Sequence, residues 1–239
     1  MNTWKTLSGH SVHQLLSGRS NVFLLSDKER NILIDTGTKF RWKKLHKRLQ
    51  RMNVKSIDYL ILTHTHFDHA ANSNRIKETY NAKVIVHKNE ISYLAKGVNV
   101  VPQGTNLISK TFIFLFAKML LPFVKYDPCE TDLTLDSVFS LNNLGFNAYL
   151  IHTPGHTPGS ISLIIDDELA LVGDTMFGVF PWSVYPPFAN DPLELLESWG
   201  KLLHTMCKVF IPSHGSANQK SLVEKDFNRR IAFKISPED

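Results

Sequence analysis

The sequence predicts a layered α/β fold. Apolar runs of strand length alternate with stretches of helical periodicity, and several of the strand-like runs end in turn residues followed by His or Asp. No linker, short repeat or low-complexity stretch divides the 239 residues, so one large domain with a sizeable core is expected. A hydrophobic content of 43% and a charged content of 21% are those of a soluble globular chain.

Taken in order, residues 12–16 and 22–25 read as short strands, split by the turn-like Ser17-Gly18-Arg19-Ser20-Asn21. A third strand, 31–34, ends in Asp35-Thr36-Gly37. Trp42, Leu45, Leu49 and Met52 then recur at helical spacing, with Lys and Arg filling the opposite face. Much of the formal charge of +5 sits on this helix, and its basic side is read as a solvated face. Strands are expected at 59–62 and 82–86, and helices at 70–80 and 88–96.

Between 100 and 128 the pattern breaks around a dense apolar run, 112–123. A spanning helix needs about 20 apolar residues, and Lys118 and Pro122 interrupt this one. Buried packing or a helical lid over a cleft is therefore favoured over membrane contact, and a homodimer surface fits the same residues. Strands follow at 137–141, 146–151, 160–165 and 168–172. Asp191 is a candidate N-cap with Pro192 at the first helical position, and Leu193, Leu196, Trp199 and Leu203 mark the buried stripe. A strand at 208–211 and a helix at 219–231 close the order.

The chemistry gathers at residues 63–69, Thr63-His64-Thr65-His66-Phe67-Asp68-His69. Strand alternation lets His64 and His66 point the same way, with Asp68 two further on. Three imidazoles and a carboxylate exceed the needs of one catalytic zinc, which takes three protein ligands and keeps a position for water. The surplus points to two metals sharing one loop. Three more donors follow apolar strands: His156 between two Pro-Gly pairs, Asp174 after Gly173, and His214 in Ser213-His214-Gly215. A carboxylate can touch two cations, so Asp174 is the natural bridge. His10, His13, His46, His87, His152 and His204 are read as surface or hydrogen-bonded residues.

The ordered set Thr63-His64-x-His66-x-Asp68-His69, Gly155-His156-Thr157, Gly173-Asp174-Thr175 and Ser213-His214-Gly215 resembles the metallo-β-lactamase superfamily, over nearly the whole chain from Asp35-Thr36-Gly37 to His214. The resemblance implies a four-layer αββα sandwich, α/β or in layer terms α+β, with a dinuclear site at one edge. Carried over residue by residue, it implies that His64, His66 and His156 hold the first metal, that Asp68, His69 and His214 hold the second, and that Asp174 bridges them. Asp35 matches the family aspartate that supports the histidine loop from behind. Two divalent ions are expected, zinc foremost, since iron and manganese accept the same donors. The implied reaction is attack by a metal-bridging hydroxide on an ester, lactone, thioester or phosphoester of a small, apolar substrate. Asp68 would serve as ligand and as the group that orients the nucleophile.

Within that superfamily, true β-lactamases lack the bridging aspartate and many hold the second metal with a cysteine. Asp174 is present and neither Cys129 nor Cys207 stands in a ligand motif, so antibiotic hydrolysis is set aside. Glutathione-thioester hydrolases share all seven ligands but carry a helical substrate domain after the last histidine, for which the stretch after His214 is short. Acyl-homoserine lactonases share the ligands, handle greasy chains and use a tyrosine near the metals. Tyr185 is its candidate counterpart, with Phe177 and Trp182 as further candidates for the wall of a substrate pocket. A nuclease branch has only the basic helix as a cue, so nucleic acid is not the expected partner. A mononuclear iron persulfide dioxygenase, using two histidines and Asp174, and a non-catalytic metal-binding protein complete the alternatives. Two cysteines make no disulfide framework, and Met1-Asn2-Thr3-Trp4-Lys5 lacks the pattern of a secretory leader, so a cytoplasmic location is expected.

Overall fold

Two sheets, each covered on its outer side by helices, form the protein in a computed structural model that describes residues 2–27, 29–98, 103–105, 107–111, 115 and 124–235. The first sheet joins β1 (Thr3–Lys5), β2 (Ser11–Leu16), β3 (Val22–Ser26), β4 (Asn31–Ile34), β5 (Tyr59–Ile61), β6 (Lys83–His87) and β7 (Leu133–Leu135) in sequence order. The second runs β13 (Asn218–Gln219), β12 (Val209–Pro212), β11 (Leu169–Gly173), β10 (Ile161–Ile165), β9 (Ala148–His152), β8 (Val138–Ser140).

Strand alternation sends each sheet's side chains into two different cores. On β4, Ile32 and Ile34 join Ile61 and Ile85 against Leu150, Leu163 and Leu171 of the second sheet. Leu33, one residue out of phase, packs instead with Leu45, Leu49, Ile76 and Tyr80. Those four belong to α1 (Trp42–Arg51) and α3 (Ser73–Tyr80), the helical layer over the first sheet. On the far side Ile164, Ala170, Val172 and Phe210 meet Leu195, Trp199 and Leu202 of α5 (Pro192–His204) and Val223 of α6 (Lys220–Ile235). Three cores between four layers make the expected αββα sandwich.

The order of connections decides where loops gather. β4, β5 and β6 are parallel, so the chain leaves β4 and β5 at one edge, with Asp35 N–H donating to Ile61 O at 2.9 Å. In the second sheet β11 and β12 are parallel, which puts the residues after each at one edge too. Ile161 N–H to Thr63 O at 2.9 Å and Asn21 N–H to Ser213 O at 2.7 Å tie the two sheets together there.

Several expected elements shift for identifiable reasons. The helix expected at 70–80 is two pieces, α2 (Phe67–Ala70) and α3, because Asn72 turns its amide onto the carbonyls of Thr36, Gly37 and Thr38. The helix expected at 88–96 begins with a 3-10 turn, Lys88–Glu90, before α4 (Ile91–Lys96). Asp191 caps α5 as expected, accepting from Leu193 N–H at 2.9 Å and Glu194 N–H at 3.0 Å, an arrangement worth about 1 kcal/mol. The buried face of α5 is Leu195, Leu196, Ser198, Trp199 and Leu202, and the expected member Leu193 is exposed. Two polar bonds fix that rotation: Ser198 Oγ donates to Pro154 O at 2.7 Å and Trp199 Nε1 to Thr175 O at 2.6 Å. Strands β1, β7 and β13 are too short to show a period in the sequence. The apolar run at 112–123, apart from Leu115, lies outside the described residues. Among the described residues, no helix is long and apolar enough to cross a membrane.

Candidate metal centre

The seven donors expected from the motifs meet at the shared edge of the two sheets. His64 and His66 follow β5, His156 lies in the turn between β9 and β10, Asp174 follows β11 and His214 follows β12. Asp68 and His69 stand on α2, whose start at Phe67 turns them back toward the same point. Three groups of donor atoms, each within 4.8 Å of one another, could hold an ion: His64, His66 and His156; His64, His69 and Asp174; Asp68, His69 and His214.

In the first group the ring nitrogens face one another. His66 Nδ1 is 3.0 Å from His64 Nε2 and 3.1 Å from His156 Nε2. Their outer neighbours decide the tautomers. His156 Nδ1 lies 2.9 Å from Phe188 O, an acceptor only, so the proton sits on Nδ1 and Nε2 presents its lone pair inward. Thr63 Oγ1 sends its hydrogen to Asp35 at 2.9 Å, so it accepts from His64 Nδ1 at 3.2 Å and leaves His64 Nε2 bare as well. A neutral His66 can offer a proton to at most one of these two lone pairs. Burial, and after it the neighbouring imidazoles, lowers the pKa of His64 and His66 well below the usual value, so the rings stay neutral.

The second group is arranged the other way. His69 Nδ1 lies 2.9 Å from Asp35 Oδ2, and its Nε2 faces Asp174 Oδ1 at 3.5 Å and Asp68 Oδ1 at 3.7 Å. Burial alone would lower the pKa of His69, but the carboxylates of Asp174, Asp35 and Asp68 raise it to about 10 in the metal-free chain. Asp174 Oδ2 lies 3.2 Å from His214 Nε2 and 3.5 Å from His156 Nε2, so its two oxygens address different histidines. Burial disfavours its charge, yet His214 and His69 hold the carboxyl well below the usual range. His69 Nε2 and Asp174 Oδ1 are both buried without a hydrogen-bond partner.

The backbone around the donors is specialised. Asp35 has φ of +60°, rare for a residue with a side chain, and its buried carboxylate accepts from Thr63 N–H at 2.8 Å and Ser213 Oγ at 3.0 Å. A Cβ at Gly173, where φ is +55°, would meet Thr63 Cβ at 2.7 Å, so the close backbone approach expected before Asp174 is present. The supporting Thr63 and Ser213 each precede a ligand directly, which is the signal that could have found them. Glu90, 2% exposed, also reaches the ligand loops, and nothing in its sequence neighbourhood marks it.

The three aromatic candidates separate. Phe177 stacks on His214, ring centroids 4.6 Å apart at 25°, and so borders the donors. Trp182 is 64% exposed and leans on Phe180 at 5.3 Å. Tyr185 turns into the outer core, its ring 6.0 Å from Trp199 and beneath the Arg230 guanidinium at 3.5 Å.

Comparison with known proteins bears on the fold and the family. A family model of the metallo-beta-lactamase superfamily matches residues 17–214. The "Probable metallo-hydrolase MJ0888" of Methanocaldococcus jannaschii is 36% identical over 167 residues, 69% of this chain and 72% of that one. The "Hydroxyacylglutathione hydrolase GloC" of Haemophilus influenzae is 27% identical over 161 residues, 66% of this chain and 68% of that one. Among solved structures, the archaeal metallo-beta-lactamase superfamily protein ST1585 from Sulfolobus tokodaii superposes with a TM-score of 0.66 at 20% identity, covering 95% of this chain and 89% of that one.

Proposed function

Since the chain belongs to the metallo-β-lactamase superfamily, we propose that it is a binuclear metal-dependent hydrolase of an ester, lactone, thioester or phosphoester bond in a small substrate. One observation carries the reading: His69 Nε2 and Asp174 Oδ1, facing each other at 3.5 Å, are both buried without a hydrogen-bond partner at the point where the other donors converge. Buried polar atoms are costly unless something satisfies them, and the inward Nε2 lone pairs of His64 and His156, of which His66 can satisfy at most one, add to that cost. A cation relieves both. Imidazole and carboxylate donors without a thiolate suit zinc, iron or manganese.

His64, His66 and His156 would hold the first ion and Asp68, His69 and His214 the second, with Asp174 between them. When bound, two such ions make hydroxide available near neutral pH and polarise the bond under attack. The chain supplies the rest. The buried, neutral rings of His64 and His66 offer lone pairs without first losing a proton. Asp68, with 13% of its side chain open to solvent against 5% for Asp174, is the more accessible of the two carboxylates and can accept the nucleophile's proton while orienting it. Phe177, stacked on His214, covers one face of that ring. No Ser or Cys nucleophile is needed. The relative named for hydroxyacylglutathione hydrolysis supports keeping a thioester among the candidate bonds.

The test is to load the metal-free chain with zinc, iron or manganese and offer lactones, thioesters, phosphodiesters and β-lactams side by side. Two ions per chain and turnover of one of the first three classes is the expected result. One iron per chain, with oxygen consumed in the presence of a persulfide and no hydrolysis, would overturn the reading.

A further inference from the structure

Thr65 stands between the first two histidines of the loop, and Thr157 directly follows His156. Both donate to one carboxylate, that of Glu90. Glu90 Oε2 accepts Thr65 N–H at 3.0 Å together with the Thr65 hydroxyl, and Oε1 accepts the Thr157 hydroxyl at 2.7 Å. The two threonines belong to loops that leave different sheets, and Glu90 comes from a third element, the 3-10 turn before α4. A carboxylate this deeply buried is tolerated only where donors take up its lone pairs, and three donors do so here. The loop has made room for it: a Cβ on Gly159 would stand 2.5 Å from Glu90 Cγ. Tyr126 Oη, donating to Thr65 O at 2.8 Å, braces the same loop from behind.

These contacts fall on one half of the centre. Asp35 reaches His69 directly and Ser213 beside His214, whereas Glu90 touches neither and grips the residues flanking His64, His66 and His156. We infer that Glu90 is the positioning residue of the first metal trio, holding the His64–His66 loop and the His156 loop at the separation at which their ring nitrogens meet. The inference rests on the metal-centre reading above. Outer partners of this kind typically change metal affinity by about 10–100-fold when removed.

Two backgrounds separate the halves: His214→Ala leaves only the first trio complete, and His156→Ala only the second. Zinc and cobalt(II) affinities of the folded chain are measured in each by competition with a chromophoric chelator. Glu90→Gln, which turns one of the two acceptor oxygens into a donor and removes the charge, is expected to weaken binding about 10–100-fold in the His214→Ala background and to leave the His156→Ala background unchanged. Thr157→Val acts in the same direction, and Thr157→Ser, which keeps the hydroxyl, binds as the parent does. Should Glu90→Gln fail to fold, Thr157→Val in the two backgrounds decides. A purely structural role would lower the thermal midpoint of the metal-free chain and leave both affinities untouched. That result, or equal losses in the two backgrounds, overturns the inference while the metal centre stands. Absence of metal binding in the parent protein removes the centre and the inference together.

Discussion

Asp35 Oδ2 lies 2.9 Å from His69 Nδ1, and both side chains are sealed from solvent. The same carboxylate accepts from the Thr63 backbone and from Ser213, so one buried acid orients a ring on α2 and joins the ends of β5 and β12. His69 Nε2 is thereby aimed at Asp174.

Asp35→Asn follows from that geometry. Asparagine tolerates the positive φ, but its amide nitrogen must face a donor from Thr63, Ser213 or His69. Metal affinity should fall about 10–100-fold, read by chelator competition, while the circular dichroism of the fold is retained. Unchanged affinity would show that His69 does not depend on Asp35.

Asp68→Ala separates chemistry from folding. Asp68 Oδ2 is 3.6 Å from His214 Nε2, and its side chain is the more open of the two carboxylates among the seven donors. The variant should keep its thermal midpoint in the metal-free state and lose about 100-fold or more in kcat, the scale of a lost proton acceptor. Full activity in a metal-loaded Asp68→Ala protein would sink the role given to it.

Cys129 and Cys207 give a pH dependence free of the metal centre. Burial, the largest cause, pushes both thiols up from the ordinary 9.0 to about 11. At pH 8 only about one thiol in a thousand is then thiolate, so alkylation by iodoacetamide should be slow in the folded chain and fast in urea. The folded state favours the neutral thiol. Its contribution to stability is therefore complete below pH 9 and is lost as pH rises toward 11. Urea midpoints between those pH values should fall less steeply in Cys129→Ala and Cys207→Ala than in the parent.

Trp182 tests the wall of the cleft. At 64% exposure, its replacement by Ala should move stability by no more than about 0.5 kcal/mol. If the aromatic loop contacts an apolar substrate group, KM for long acyl chains should rise about tenfold while short-chain esters are unaffected, a difference of about 1.4 kcal/mol in binding. Equal kinetics on both would assign Trp182 to the surface alone.

The sequence by itself determined the layers and marked the seven candidate donors. His64, His66, Asp68, His69, His156, Asp174 and His214 each follow an apolar strand run or sit in a turn built of Gly and Pro, signals that depend only on local residue order. Strand periodicity likewise divides Leu33 from Ile32 and Ile34, and so implies two cores on either side of one strand. Tertiary structure alone decided what stands behind the donors. Glu90 meets Thr65 and Thr157 across separations of 25 and 67 residues, and Tyr185 leaves the donor edge because Trp199 and Arg230 hold it in the outer core. The phase of α5 was set the same way, by Ser198 and Trp199 reaching carbonyls of the ligand loops rather than by its leucine spacing. A metal ligand announces itself through its own chemistry and its neighbours in sequence. A supporting carboxylate is an ordinary residue until folding surrounds it with donors from distant strands.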